Sequence, residues 1–284
     1  MSMKKKHGKS VTPKHDSFIE HFVLVVIALL QIFPFAVMIL NSFRTDKAVK
    51  QMPIALPESL YLQNYIDAWV QGGYSTAYLN SFLIGVFVVV AVLLLGGLAS
   101  YAMAKLPLPK REWFIGYFTM AMAIPGFLCI IPVYFVISRV GLADSQAGIA
   151  LIYVAMFMPL NTMLMRTYLI GIPRELEEAG KIDGCSEGGV FWHITLPLAR
   201  PIMTTVALLV FASCWNEFLW ANTFLLTDSV RTVATRFYNF VGEKSTNVAL
   251  IYTCGLISLA PIAILYLTLQ DSFIEGMTAG GLKG

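Results

Sequence analysis

The chain has 284 residues, of which 57% are hydrophobic and only 13% charged, and its formal net charge is +3. This balance excludes an ordinary soluble domain, in which about a quarter of residues are charged. It also excludes a nucleic-acid-binding module, because no segment outside the apolar stretches is long enough to build a basic groove-reading or stacking surface.

The charges are clustered, with none between Asp67 and Lys105, between Glu112 and Arg139, or between Lys244 and Asp271. A helix crossing the hydrocarbon core needs about 20 mainly apolar residues. Six windows meet that requirement, at about 18–41, 77–104, 113–138, 144–165, 201–226 and 248–270. The expected fold class is therefore an all-α polytopic membrane protein with six transmembrane helices.

Taken in chain order, residues 1–17 are a basic polar tail whose five lysines anchor the topology and can touch anionic headgroups. The first span, 18–41, is too long for a removable signal peptide, and no small-residue cleavage site follows Asn41-Ser42-Phe43-Arg44. An outer loop over 42–76 is interrupted by Pro53 and Pro57. Tyr65, Ile66, Trp69 and Val70 then recur at helical spacing, which predicts a short helix at the outer interface with Tyr65 and Trp69 at headgroup depth. The second span has no proline. Its Gly96, Ser100 and Ala104, four apart, form a small-residue face for close helix packing. Pro34, Pro125, Pro132, Pro159 and Pro261 fall inside the other spans, where kinks are tolerated.

With the N-terminus inside, thirteen Lys and Arg face the cytoplasm and seven face outward, which places both termini in the cytoplasm. The four cysteines contain no C-x-x-C pair and read as small, mostly buried apolar residues. No G-x-x-x-x-G-K-[ST] is present, so no ATPase site of the chain's own is expected. His193 has no second ligand at helical spacing and reads as a surface or interface residue.

The longest polar stretch between spans is the cytoplasmic segment 166–200. Pro173 suits the first turn of a helix, and Glu175, Glu177 and Glu178 place negative charge near its positive end. Asp183-Gly184 reads as a turn. A second short helix is expected from Glu187 to about His193, and Leu196-Pro197-Leu198 closes the segment before Pro201 opens the next span.

The string Glu178-Ala179-Gly180, then Asp183-Gly184, then Leu196-Pro197 resembles the EAA coupling loop of membrane subunits of binding-protein-dependent ABC importers. Gly180 stands where the motif has a second alanine, and Cys185 replaces the small residue after the glycine. Asn64-Tyr65, Asn80-Ser81, the run Ser100–Lys105 and Trp215-Asn216-Glu217-Phe218 are similar to the carbohydrate-uptake branch, and residues 273–284 resemble the tail of the smaller maltose-transporter permease subunit.

The resemblance implies a type I importer transmembrane domain over 77–270, with Glu178, Ala179, Gly180, Asp183, Gly184, Leu196 and Pro197 coupling to the ATPase. It also implies a cytoplasmic tail, 271–284, whose Gly276, Thr278, Ala279, Gly280 and Lys283 reach between two ATPase subunits. The implied partners are a second permease, two ATPase subunits, an extracytoplasmic solute-binding protein and membrane lipid. Nucleic acid is not among them. This chain is expected to bind no cofactor, with ATP-Mg held by the ATPases.

Glu217 is the one charged side chain in the interior of a span, since Glu20 and Asp144 lie at span ends. Sixteen residues beyond Pro201, it lies about 24 Å into the membrane. Ser213, Asn216, Glu217 and Trp220 share one face at i, i+3, i+4 and i+7 and form a polar stripe suited to a sugar path. The competing reading is that Asn216 and Glu217 bond to a neighbouring helix. Two functions rival ATP-driven import: an ion-coupled secondary transporter using Glu217, and a membrane enzyme, for which no paired catalytic groups exist.

Overall fold

Apolar runs without charge become helices in a bilayer because every backbone N–H and C=O must be satisfied within the segment. The computed structural model describes residues 16–241 and 246–281, with side chains described for 18–238, 240–241 and 246–270. Among the described residues there is no strand. The helices are α1 (Asp16–Ser42), α2 (Asp46–Gln51), α3 (Gln63–Gln71), α4 (Tyr74–Ala91), α5 (Gly97–Lys105), α6 (Arg111–Ala123), α7 (Ile130–Arg139) and α8 (Gln146–Ile170). They continue as α9 (Arg174–Ile182), α10 (Glu187–Val190), α11 (Leu196–Leu198), α12 (Arg200–Asn216), α13 (Leu219–Phe224), α14 (Val233–Asn239) and α15 (Val248–Gly281).

Four segments are each long and apolar enough to cross a bilayer: Phe18–Ser42, Tyr74–Lys105, Gln146–Ile170 and Val248–Gln270. Two bent pairs, Arg111–Ala123 with Gly126–Arg139 and Glu187–Leu198 with Arg200–Asn216, raise the number to six.

Two expected spans are not single helices. The 113–138 window breaks at Ile124-Pro125 and turns through 90°. Pro125 has no N–H to continue the ladder, and it drives Ile124 into an extended conformation (φ −83°, ψ 121°). The 201–226 window stops at Asn216, because Glu217 is extended (φ −70°, ψ 122°), and a short α13 follows. At ~1.5 Å per residue, the 17 residues of α12 reach about 25 Å, short of the ~30 Å core.

A further irregularity had no sequence signal. Residues Val92–Gly96 form a π-helical turn joining α4 to α5.

Helices α4, α5, α8 and α12 enclose the main core, built on residues such as Val88, Val92, Tyr153 and Val206. The small-residue face of α5 packs against α8. A Cβ on Gly96 would lie 2.7 Å from Thr162 Oγ1, so the absent side chain sets the helix separation. A second cluster, including Tyr74, Trp215 and Cys254, fixes α15, whose Ser258 O accepts from Trp215 Nε1 at 3.0 Å. In α3, Tyr65 bonds Ser42 and Trp69 stacks on Tyr74, so both rings engage the chain itself. Helix α1 packs against α15 through its C-terminal part, where Met38 meets Gly255, while its side chains are exposed from Phe18 to Phe35.

Candidate functional site

The 173–198 segment folds as a helix, a turn and a second helix. Pro173 takes the position just before α9 rather than its first turn. The helix ends in a Schellman motif: Cys185 N–H donates to Gly180 O (2.9 Å) and Gly184 N–H to Lys181 O (3.1 Å). Gly184 holds φ +90°, a conformation that costs glycine nothing. The second helix runs farther than expected. Ser186 Oγ caps it by accepting from Gly189 N–H (3.2 Å), and α10 continues through a π turn at Phe191–Thr195 into α11. His193 Nδ1 lies 3.0 Å from Gly189 O at the surface.

The motif residues do not share one face. Gly180 is buried, and a Cβ there would meet Ile194 Cδ1 at 2.2 Å, so the glycine serves contact within the chain. Glu178, Ala179, Asp183, Gly184 and Pro197 are exposed, with Leu196 half-buried.

Sequence reasoning missed the group beneath the segment. Lys105, at the end of α5, places Nζ 3.2 Å from Glu177 Oε1 and 2.6 Å from Ile172 O, and Thr195 Oγ1 donates to the same carboxylate at 3.3 Å. One buried carboxylate therefore joins α5, α9 and the π turn. A lysine ending one span and a glutamate next to a motif glutamate were visible, but nothing in their spacing paired residues so far apart in the chain.

The polar stripe is divided by the end of α12. Ser213 and Asn216 are exposed on α12, and Asn216 Nδ2 donates back to Ala212 O (3.0 Å). Glu217 sits at the break, where its carboxylate accepts from Tyr153 Oη (2.6 Å), Trp220 N–H (2.9 Å) and Ala221 N–H (2.9 Å). It thus closes the start of α13 and pins that break to α8. Trp220 is buried and borders a cavity of ≈ 690 Å³ with Gly126, Cys129 and Pro159, whereas Asn216 borders a separate one of ≈ 340 Å³. The missed partner was Tyr153.

At the C-terminus, the expected boundary at 270 is not a break. The backbone of α15 runs through Gly276, Thr278, Ala279 and Gly280 to Gly281, because no proline interrupts 262–281. The side chains of those residues, and Lys283 altogether, lie outside the described residues.

A helical bundle with two bent pairs of helices, and a helix-turn-helix that follows the fourth candidate span, defines a polytopic membrane protein. The chain belongs to the family described as binding-protein-dependent transport system inner membrane component, which matches residues 93–278. It is 31% identical over 262 residues to the arabinooligosaccharides transport system permease protein AraQ of Halalkalibacterium halodurans, covering 91% of this chain and 93% of AraQ. It is 27% identical over 260 residues to the melibiose/raffinose/stachyose import permease protein MelC of Bacillus subtilis, covering 91% and 94%. The fold is similar to a chain in the crystal structure of a bacterial ABC transporter involved in import of the acidic polysaccharide alginate. That likeness has a TM-score of 0.81 at 23% identity over 95% of this chain and 100% of that one.

Proposed function

We propose that this chain is the permease subunit of an ATP-driven importer carrying a carbohydrate or related solute inward across the cytoplasmic membrane. It works with a second permease, two ATPase subunits that hold ATP-Mg, and an extracytoplasmic binding protein, and it hydrolyses nothing itself. The saccharide-importing relatives support the solute class. The excess of Lys and Arg on one side supports cytoplasmic termini.

The observation that carries the reading is the closed helix-turn-helix at 174–198, with Glu178, Ala179, Asp183 and Gly184 on its exposed side. Closure of the ATPase dimer would move this rigid unit, and the spans would follow. Gly276, Thr278, Ala279, Gly280 and Lys283 complete the ATPase contact. On the solute path, the cavity beside Trp220 favours that residue. The three hydrogen bonds to Glu217 favour a packing role there.

Gly184→Pro tests the reading. Proline fixes φ near −65°, which is incompatible with +90°, and it removes the N–H that donates to Lys181 O. In the reconstituted transporter the variant should hydrolyse ATP without accumulating sugar. Normal ATP-driven uptake would overturn the assignment of the loop.

A further inference from the structure

Helix α9 is joined to α8 by Gly171, Ile172 and Pro173, none of which is helical. A connector of a few residues at the end of an element is where one helix can turn against its neighbour. Lys105 holds both sides of that pivot. Its Nζ lies 2.6 Å from Ile172 O, within the connector, and 3.2 Å from Glu177 Oε1, one turn into α9. Thr195 Oγ1 donates to the same carboxylate from the second helix of the loop, so both halves of the helix-turn-helix are tied at one buried point.

The lysine stands on an element that cannot give way easily. Tyr101, four residues earlier and on the same face of α5, is buried, with its ring 4.8 Å from that of Phe191 in the second π turn. Another face of this segment is packed on α8: where the first π turn meets α5, a Cβ on Gly96 would lie 2.7 Å from Thr162 Oγ1 and 3.1 Å from the Met165 methyl. Close packing of this kind transmits displacement instead of absorbing it. Helix α8 in turn supplies Ile152, Ala155 and Met156 to the wall of the ≈ 690 Å³ cavity, and its Tyr153 holds Glu217 at the break after α12.

We infer that Lys105 is a positioning residue for coupling: it carries displacement of the loop into α5 and stops α9 from rocking idly about residues 171–173. The inference rests on the coupling reading above and adds to it a residue outside the loop. An ion pair that served stability alone would leave coupling intact in every variant that folds.

The test uses the reconstituted transporter with Lys105→Met/Glu177→Leu, which replaces the pair by apolar side chains and strands no charge. Sugar uptake and ATP hydrolysis are measured together, with thermal unfolding as the control. The expected result is an unfolding temperature near the parent's and about a tenfold rise in ATP hydrolysed per sugar imported. Lys105→Arg keeps the charge and the donors, and should keep the parental ratio. A parental ratio in the double variant overturns the inference, and so does a raised ratio in a stable Lys105→Arg transporter. Where the double variant fails to assemble, Thr195→Val decides. It takes one bond from the carboxylate, so the ratio must rise, and a parental ratio overturns the inference. The Gly184→Pro assay separates the two readings. Uncoupling there, with a parental ratio in the double variant, refutes the role of Lys105 alone, whereas normal uptake by Gly184→Pro refutes the coupling loop itself.

Discussion

Replacing Lys105 by methionine preserves the length of the side chain and removes its charge. The Lys105 side chain is 2% exposed and that of Glu177 is 11% exposed, so the pair is largely dry. Methionine leaves Ile172 O without its donor and leaves the carboxylate with Thr195 alone. Breaking a buried pair from one side costs about 3–5 kcal/mol. Some water reaches Glu177, so the lower end applies, about 3 kcal/mol. In a chain of this size 1 kcal/mol moves the melting point by about 2–4 °C, which predicts a fall of about 6–12 °C. The double variant Lys105→Met/Glu177→Leu removes the stranded charge and should recover to within about 1 kcal/mol of the parent. The assay is thermal unfolding of the purified transporter in detergent at one fixed scan rate, since unfolding of such assemblies is rate-dependent. A single variant within about 2 °C of the parent, or a double variant as unstable as the two singles combined, would refute the reasoning.

Gly148→Ala should reduce the yield of folded permease, because its Cβ would sit 2.2 Å from the backbone oxygen of Leu142; overpacking of this kind costs about 1–3 kcal/mol. A double-mutant cycle on Glu217→Ala and Tyr153→Phe should show a coupling of about 1–3 kcal/mol, and additive effects would contradict the hydrogen bond between them. Asp144 is pulled two ways. Burial raises its pKa, but the Thr227 hydroxyl, the Thr227 and Leu226 amides and the Arg231 charge together hold it below the ordinary 3.8. Its stabilising effect is therefore present above pH 3.8 and lost as pH falls through the lowered value. Hydrogen exchange at Leu226 and Thr227 should accelerate in that acid range, and Asp144→Asn should abolish the pH dependence.

The apolar windows, the short helix at 63–71 and the helix-turn-helix were legible because each depends on local signals: charge-free length, 3.6-residue recurrence, and a glycine where φ must be positive. The breaks were harder to read. Proline at 125 was visible, but prolines at 34, 159 and 261 stay within helices, so the residue alone does not decide. Neighbouring contacts do. Nothing around Glu217 in sequence announces that α12 ends there, since Tyr153, its partner, is 64 positions away. The polar stripe failed as a single surface for that reason. A periodicity argument assumes one unbroken helix, and a carboxylate that binds two amide groups is itself what allows the helix to stop. The π turns at 92–96 and 191–195 likewise have no marker in the local sequence.

The ion pair beneath the loop bears on how permeases of this kind can be recombined. The helix-turn-helix closes its own backbone bonds, so it looks like a cassette that could be exchanged between transporters with different ATPases. Its buried carboxylate, however, takes its counter-charge from Lys105, which lies in another part of the gene, 72 positions upstream of Glu177. A graft of residues 173–198 alone would carry the acid and leave the base to the host. Chimaeras that match position 105 to the incoming loop should assemble, and those that do not should be lost to quality control before transport is ever measured.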